Sequence, residues 1–231
     1  MRILYPLLPF LAVPLAAQVS GITPFQERKA LELLRVRLPC LGCHELAGDG
    51  GRIGPSLTDV GRRRNASYIS AIIDDPQRVV PGAAMPKVIM PPATRDLIVS
   101  YLAQGSQTAA AAPVPARTPS APSTLKTPIT GAALYSRWCS SCHGPAGAGD
   151  GPNAKFLPVG PAVHASAAQM SSRPDDALFD AIAGGGLVMG KSPRMPPFGQ
   201  TLSPAEIRSL VRHIRTLCAC EGPTWSTDDR R

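Results

Sequence analysis

The sequence predicts an all-α chain of two tandem domains joined by an Ala/Pro-rich linker. Three observations point there. One plan (helix, Cys-x-x-Cys-His, irregular middle, methionine, helix) occurs twice at a repeat of about 100 residues. The apolar residues flanking each copy recur at helical spacing, and alternation of the strand kind is scarce. Between the copies the composition turns to Ala, Pro, Ser and Thr, as in Ala109-Ala110-Ala111-Ala112-Pro113, which has no core-forming pattern. The divisions read from this are residues 18–104, a linker at 105–128, residues 129–220 and a tail at 221–231.

In chain order, Met1-Arg2 precedes an apolar stretch from Ile3 to Ala17. One early positive charge, an apolar run and small residues at its end make residues 1–17 a secretory signal peptide, cut near Ala17. A membrane span needs about 20 apolar residues, and this run is shorter and broken by Pro6, Pro9 and Pro14, so a retained anchor is the weaker reading. The expected location is the periplasm or another space outside the cytoplasm.

Thr23-Pro24-Phe25-Gln26 reads as an N-cap, a first-turn proline and the closing residue of a capping box, opening a helix that runs towards Leu38 and delivers Cys40. Leu97, Ile98, Tyr101 and Leu102 mark the closing helix of the first copy. In the second copy Thr130 opens a shorter helix ending at Trp138-Cys139. Ser203-Pro204-Ala205-Glu206 caps the last helix, where Ile207, Leu210, Val211, Ile214 and Leu217 share one face.

The chemistry lies in Cys40-Leu41-Gly42-Cys43-His44 and Cys139-Ser140-Ser141-Cys142-His143. In each, two thiols three positions apart can add across the two vinyl groups of one haem. The adjoining imidazole of His44 or His143 can then reach the iron. A redox dithiol or half of a zinc site uses similar spacing, but two complete copies in an exported chain favour two covalent haem c groups. The composition agrees. With 5% aromatics against 26 Pro and 21 Gly in 231 residues, each domain has a modest apolar core that a large flat apolar group would complete.

On these residues each half resembles a class I cytochrome c domain, and the whole resembles a dihaem c-type cytochrome. The resemblance covers nearly everything except the signal, the linker and the last dozen residues. It implies a helix crossing beside the haem, the motif histidine on one face of the iron, and a methionine from a late loop on the other. Pro81-Gly82-Ala83-Ala84-Met85-Pro86 and Arg194-Met195-Pro196-Pro197-Phe198-Gly199 match the methionine loops, so Met85 and Met195 are the implied ligands. Met90 sits too near the following helix for the family spacing, and Met189 and Met170 are weaker alternatives to Met195. Gly54-Pro55-Ser56-Leu57 resembles the family stretch whose proline carbonyl accepts a hydrogen bond from the ligand histidine, here Pro55 for His44. The second half departs from the pattern, with Pro158 and Pro161 both candidates.

The resemblance implies electron transfer rather than substrate chemistry, because thioether ligation closes the iron to outside ligands. The implied partners are a dehydrogenase or quinol-oxidising complex as donor and a terminal oxidase or reductase as acceptor. Alternatives are a haem enzyme (a dihaem peroxidase or a thiosulfate-oxidising cytochrome) and a cytochrome subunit bound permanently to a membrane respiratory complex. A credible methionine in each half disfavours the enzyme.

Other features carry less. His213 reads as a packing residue, and nothing around His164 assigns it a role. The glycines of Gly144-Pro145-Ala146-Gly147-Ala148-Gly149 follow the motif rather than a strand and lack a nucleotide-loop lysine, so they read as a tight turn. Cys218 and Cys220 leave an intermolecular disulfide, a strained internal one and an inert pair all open. The formal charge of +8 would be partly offset by haem propionates. Arg62-Arg63-Arg64 is the one tight basic cluster, either a docking surface for an acidic redox partner or a solvated run. Basic residues are not interleaved with aromatics, so nucleic acid is not an expected partner.

Overall fold

The computed structural model describes residues 21–104 and 130–226. The signal segment 1–17, the linker 105–128 and residues 227–231 of the tail lie outside the described residues.

Among the described residues the fold is all-α apart from one hairpin of two-residue strands. Helix α1, Pro24–Glu32, starts at the predicted capping box, with Thr23 accepting from the Gln26 amide and Gln26 reaching back to the cap. It runs on as a π-helical turn, Leu33–Arg37, and stops before Pro39, where Leu38 is extended at φ −96 and ψ 147. A residue preceding proline avoids the α-helical region, so the stop is local chemistry. The 3-10 turn Pro39–Gly42 then carries the first motif. The hairpin pairs β1, Glu45–Leu46, with β2, Asp49–Gly50. It is tied down by the Glu45 carboxylate, which accepts from the hydroxyls of Ser56 and Thr58.

The middle of each half is less irregular than the sequence suggests. In the first half lie α2, Val60–Arg63, α3, Ala66–Asp74, and α4, Pro76–Val79, followed by the predicted closing helix α5, Pro92–Leu102. In the second half α6, Gly131–Trp138, delivers the motif segment α7, Ser140–His143. The chain continues through α8, Ala167–Met170, and α9, Asp175–Val188, to α10, Pro204–Cys218. Several middle helices are a single turn, too short to show a helical period. Side-chain caps from Asp75 and Ser166 start two of them, and Asn65 caps the longer α3. Helix α9 is interrupted by a kink at Gly185, φ 77 and ψ 176, within Gly184-Gly185-Gly186.

Two separate apolar clusters form. One gathers Ala30, Leu34, Leu41, Ile69, Ile98 and Leu102 where α1 and α3 meet α5. The other gathers Leu134, Tyr135, Met170, Ile182, Leu210 and Ile214 around the packing of α10 on α6. At this second crossing the backbones nearly touch, and a methyl group on Gly131 would overlap the Ser209 carbonyl oxygen of α10. Helix α10 ends at Ala219 in the left-handed region, φ 47, which folds the chain back so that Cys218 and Cys220 form a disulfide, Cα–Cα 5.1 Å. Beneath it the Arg215 guanidinium bonds to Asp175 at 2.7 Å and to the Met170 carbonyl at 2.7 Å, joining α10 to α8 and α9. Among the described residues no helix is long and apolar enough to cross a membrane.

In a helix, alanine is favoured over glycine by at most about 1 kcal/mol, whereas overpacking against backbone costs about 1–3 kcal/mol. Gly131→Ala is therefore expected to destabilise the protein by about 1–2 kcal/mol. Urea unfolding with unchanged slope checks this, and a stabilised variant would contradict the close helix crossing.

Candidate haem sites

The two motifs share one backbone geometry. His44 N–H donates to the Cys40 carbonyl at 2.9 Å, and His143 N–H donates to the Cys139 carbonyl at 2.9 Å. This single helical turn sets the first thiol and the imidazole, four residues apart, on the same face.

Each imidazole is then oriented by a backbone carbonyl. His44 Nδ1 lies 2.7 Å from the Pro55 oxygen, and His143 Nδ1 lies 3.0 Å from the Ala162 oxygen. A carbonyl only accepts, so Nδ1 carries the proton in both rings and Nε2 keeps its lone pair free for a metal. In the second half the acceptor is neither Pro158 nor Pro161 but the residue after Pro161. The first ring lies flat against Gly54, where any side chain would enter the space of the imidazole.

His143, Cys139, Cys142 and Met195 line a cavity of about 590 Å³, which Cys43, Ile53, Ala84 and Pro86 from the first half help to wall. Cofactor sites commonly enclose about 300–1,000 Å³ between apolar walls. Three observations test whether haem fits. The wall is mostly apolar, the four motif cysteines are free, and the cavity-lining Arg194, only 8% exposed, holds a buried Nη1 with no hydrogen-bond partner. A buried guanidinium nitrogen needs an acceptor, and haem carries two propionate carboxylates. At the second motif the residues fit the group, whereas Cys40, His44 and Met85 of the first do not line this cavity.

Burial holds the thiols neutral: Cys40 is pushed up to about 11, and Cys43 and Cys139 to about 12. Cys142 is also raised by burial, against the opposing hydrogen bond from Asn153. A disulfide-exchange site needs a lowered thiol pKa, so the redox-dithiol reading loses support.

The Met195 loop is built from the break in α9. The kink at Gly185 leaves carbonyls on its N-terminal side without intrahelical donors. The Phe198 amide takes that of Ile182 at 2.9 Å and the Gly199 amide that of Ala183 at 3.0 Å. In return Gly186 N–H donates to the Met195 carbonyl at 3.0 Å. Glycine is required here, because a methyl on Gly185 would come within 2.9 Å of the Met195 oxygen and one on Gly186 would overlap the Ser192 carbonyl. Met85 is half-buried, flanked by Ala84 and Pro86 of the cavity wall. Met90 packs against the first core and lines a separate cavity of about 260 Å³.

His164 is one of the residues whose role the sequence does not signal. It is 8% exposed, stacks on His143 with ring centroids 4.1 Å apart, and bonds through Nδ1 to the Tyr135 hydroxyl at 2.9 Å. Burial, and then the nearby His143 and Arg173, push its pKa down to about 3, so it is a neutral prop behind the ligand ring. Nothing in its local sequence signals this; only the fold brings residues 143 and 164 together. His213 packs edge-on against Tyr135 at 5.1 Å. The glycine-rich loop is a tight turn, with Gly144, Gly147 and Gly149 all at positive φ and the Gly149 amide donating to the His143 carbonyl at 2.8 Å. In the basic cluster, Arg63 turns back onto the Ser56 and Thr58 carbonyls and Arg64 lies over Tyr68.

Residues 127–214 match the family described as cytochrome c oxidase, cbb3-type, subunit III. This stretch is a cytochrome c domain, the kind that holds haem c covalently and moves electrons. No curated protein matches the chain. Among solved structures, the Kuenenia stuttgartiensis reducing HAO-like protein complex is similar at 18% identity, covering 77% of this chain and 79% of that one, with a TM-score of 0.33. That likeness is too distant to define a shared fold.

Tyr135→Phe would leave the buried His164 ring nitrogen without its partner, which costs about 1–3 kcal/mol. The expected outcome is a loss of that size in denaturant unfolding with haem attachment intact; unchanged stability would show that the Tyr135 bond does not hold His164.

Proposed function

We propose that the protein is an exported electron carrier with two covalent haem c groups, one on each Cys-x-x-Cys-His motif. The observation that carries this reading is the doubled site geometry: in both motifs the same helical turn presents an imidazole whose Nδ1 donates to a backbone carbonyl and whose Nε2 is free. When bound, haem supplies a reversible one-electron couple at its iron. Cys40 with Cys43 and Cys139 with Cys142 anchor the groups. His44 and His143 would ligate the irons, with Pro55 and Ala162 fixing their rings. Met85 and Met195 would be the second protein ligands and would exclude outside ones. In this reading residues 18–104 form a second cytochrome c domain beside the one matched at 127–214. The donor is a dehydrogenase or quinol-oxidising complex and the acceptor a terminal oxidase or reductase.

The description of the family matched at 127–214 favours a second reading, a cytochrome subunit held permanently in a membrane oxidase. High salt separates the two. A charge-steered encounter dissociates as screening shortens, whereas a permanent subunit copurifies.

Absorption spectra of the matured protein, with and without carbon monoxide, test the carrier. Two low-spin centres with the near-infrared band of methionine ligation and no response to carbon monoxide are expected. A high-spin centre or rapid carbon monoxide binding would overturn the closed-site reading and favour an enzyme. Met195→Ala is expected to open one centre to carbon monoxide and leave the other closed.

A further inference from the structure

We propose that Asn153 is a positioning residue that locks the two haem-attachment segments edge to edge, so that the two halves conduct as one rigid unit. This rests on the two-haem reading above. Asn153 lies in the loop after the second motif and is only 3% exposed. Its side-chain amide spans the boundary between the halves. Nδ2 donates to the Gly42 carbonyl inside the first motif at 2.8 Å and lies 3.2 Å from Cys142 Sγ of the second. Oδ1 accepts from the Arg52 amide at 2.7 Å. An asparagine amide has two donor hydrogens and one acceptor oxygen, and here one buried side chain spends them on both motifs. A buried polar group saturated in this way specifies a single arrangement, because sliding the halves would leave several groups without partners.

The surroundings enforce the same register. A methyl on Gly42 would overlap the Arg194 carbonyl, and one on Gly51 would overlap the Gly42 carbonyl and crowd the Asn153 amide. The backbones therefore meet with no side chain between them. On the flank, Arg194 Nη2 bonds both oxygens of Asp49 at 3.0 and 3.2 Å, joining the Met195 loop to the hairpin of the first half. Arg52 lies over the Phe156 ring at 4.5 Å, and the Lys87 amide donates to Thr201 Oγ1 at 2.9 Å. The consequence is kinetic. One electron leaves one half as the other gains it, with no bond made or broken and no proton moved, across a distance that diffusion of the halves does not set.

The test uses the full-length holoprotein. Haem content per chain is measured first; then one centre is photoreduced and equilibration between the halves is followed while glycerol raises the viscosity. The unmodified protein is expected to equilibrate in one phase, independent of viscosity and of protein concentration. Asn153→Leu keeps the bulk and removes the hydrogen bonds. It is expected to lower the ratio of joined to separated halves by about tenfold or more, read as a new slow phase that lengthens with viscosity. A viscosity-dependent rate in the unmodified protein overturns the rigid unit even if the variant does not fold. A variant with two haems and unaltered kinetics overturns the role of Asn153. Fewer than two haems in the unmodified protein overturns the two-haem reading itself, and with it the inference.

Discussion

A hydrogen bond between a histidine Nδ1 and a backbone carbonyl fixes the geometry of both motifs. A free imidazole can carry its proton on either nitrogen and turn about two side-chain bonds. Held by Pro55 or Ala162, it has one tautomer, one plane and one exposed lone pair. Around His143 the fold supplies further restraint: His164 stacks behind the ring and is itself fixed by Tyr135, which sits at the packing of α6 on α10. The helix packing, which holds the fold together, is thereby coupled to the orientation of the ligand ring.

The cavity explains why so aromatic-poor a chain adopts this shape. Two modest apolar clusters leave a mostly apolar space at the second motif, walled chiefly by its own half with Cys43, Ile53, Ala84 and Pro86 of the first. An apolar void of that size forfeits dispersion contacts, and filling it with a covalent planar group restores them. The same space buries the thiols and the Arg194 guanidinium, whose unpartnered nitrogen calls for an anionic acceptor. The break in α9 is part of the design: carbonyls released at Gly185 hold the Met195 loop, so an interruption that weakens the helix positions the methionine.

Much of this was legible in the sequence, and the reasons are local. The boundaries of α1, α6 and α10 follow from caps, prolines and apolar periodicity that neighbouring residues supply. The motif geometry follows from one helical turn, and the Pro55 acceptor follows from family resemblance. Short middle helices were missed because a single turn has no period to read. The Ala162 acceptor, the His164 stack, the Asn153 bridge and the Arg194–Asp49 pair were missed for another reason. Each joins residues that only the tertiary fold brings together, and asparagine, alanine or arginine in a loop carries no spacing signal. The disulfide between Cys218 and Cys220 was one of three open alternatives, and the left-handed turn at Ala219 is what lets it close.

In the proposed reading both motifs, not only the one within residues 127–214, carry a covalent group. The most direct measurement is the intact mass of the denatured protein matured in a host that attaches haem c, repeated after Cys40→Ser with Cys43→Ser and, separately, Cys139→Ser with Cys142→Ser. The expected result is a chain heavier by two haems whose attachment survives acid and organic solvent, falling to one haem in each double variant. A chain carrying a single haem, or one that sheds its haem on denaturation, would contradict it.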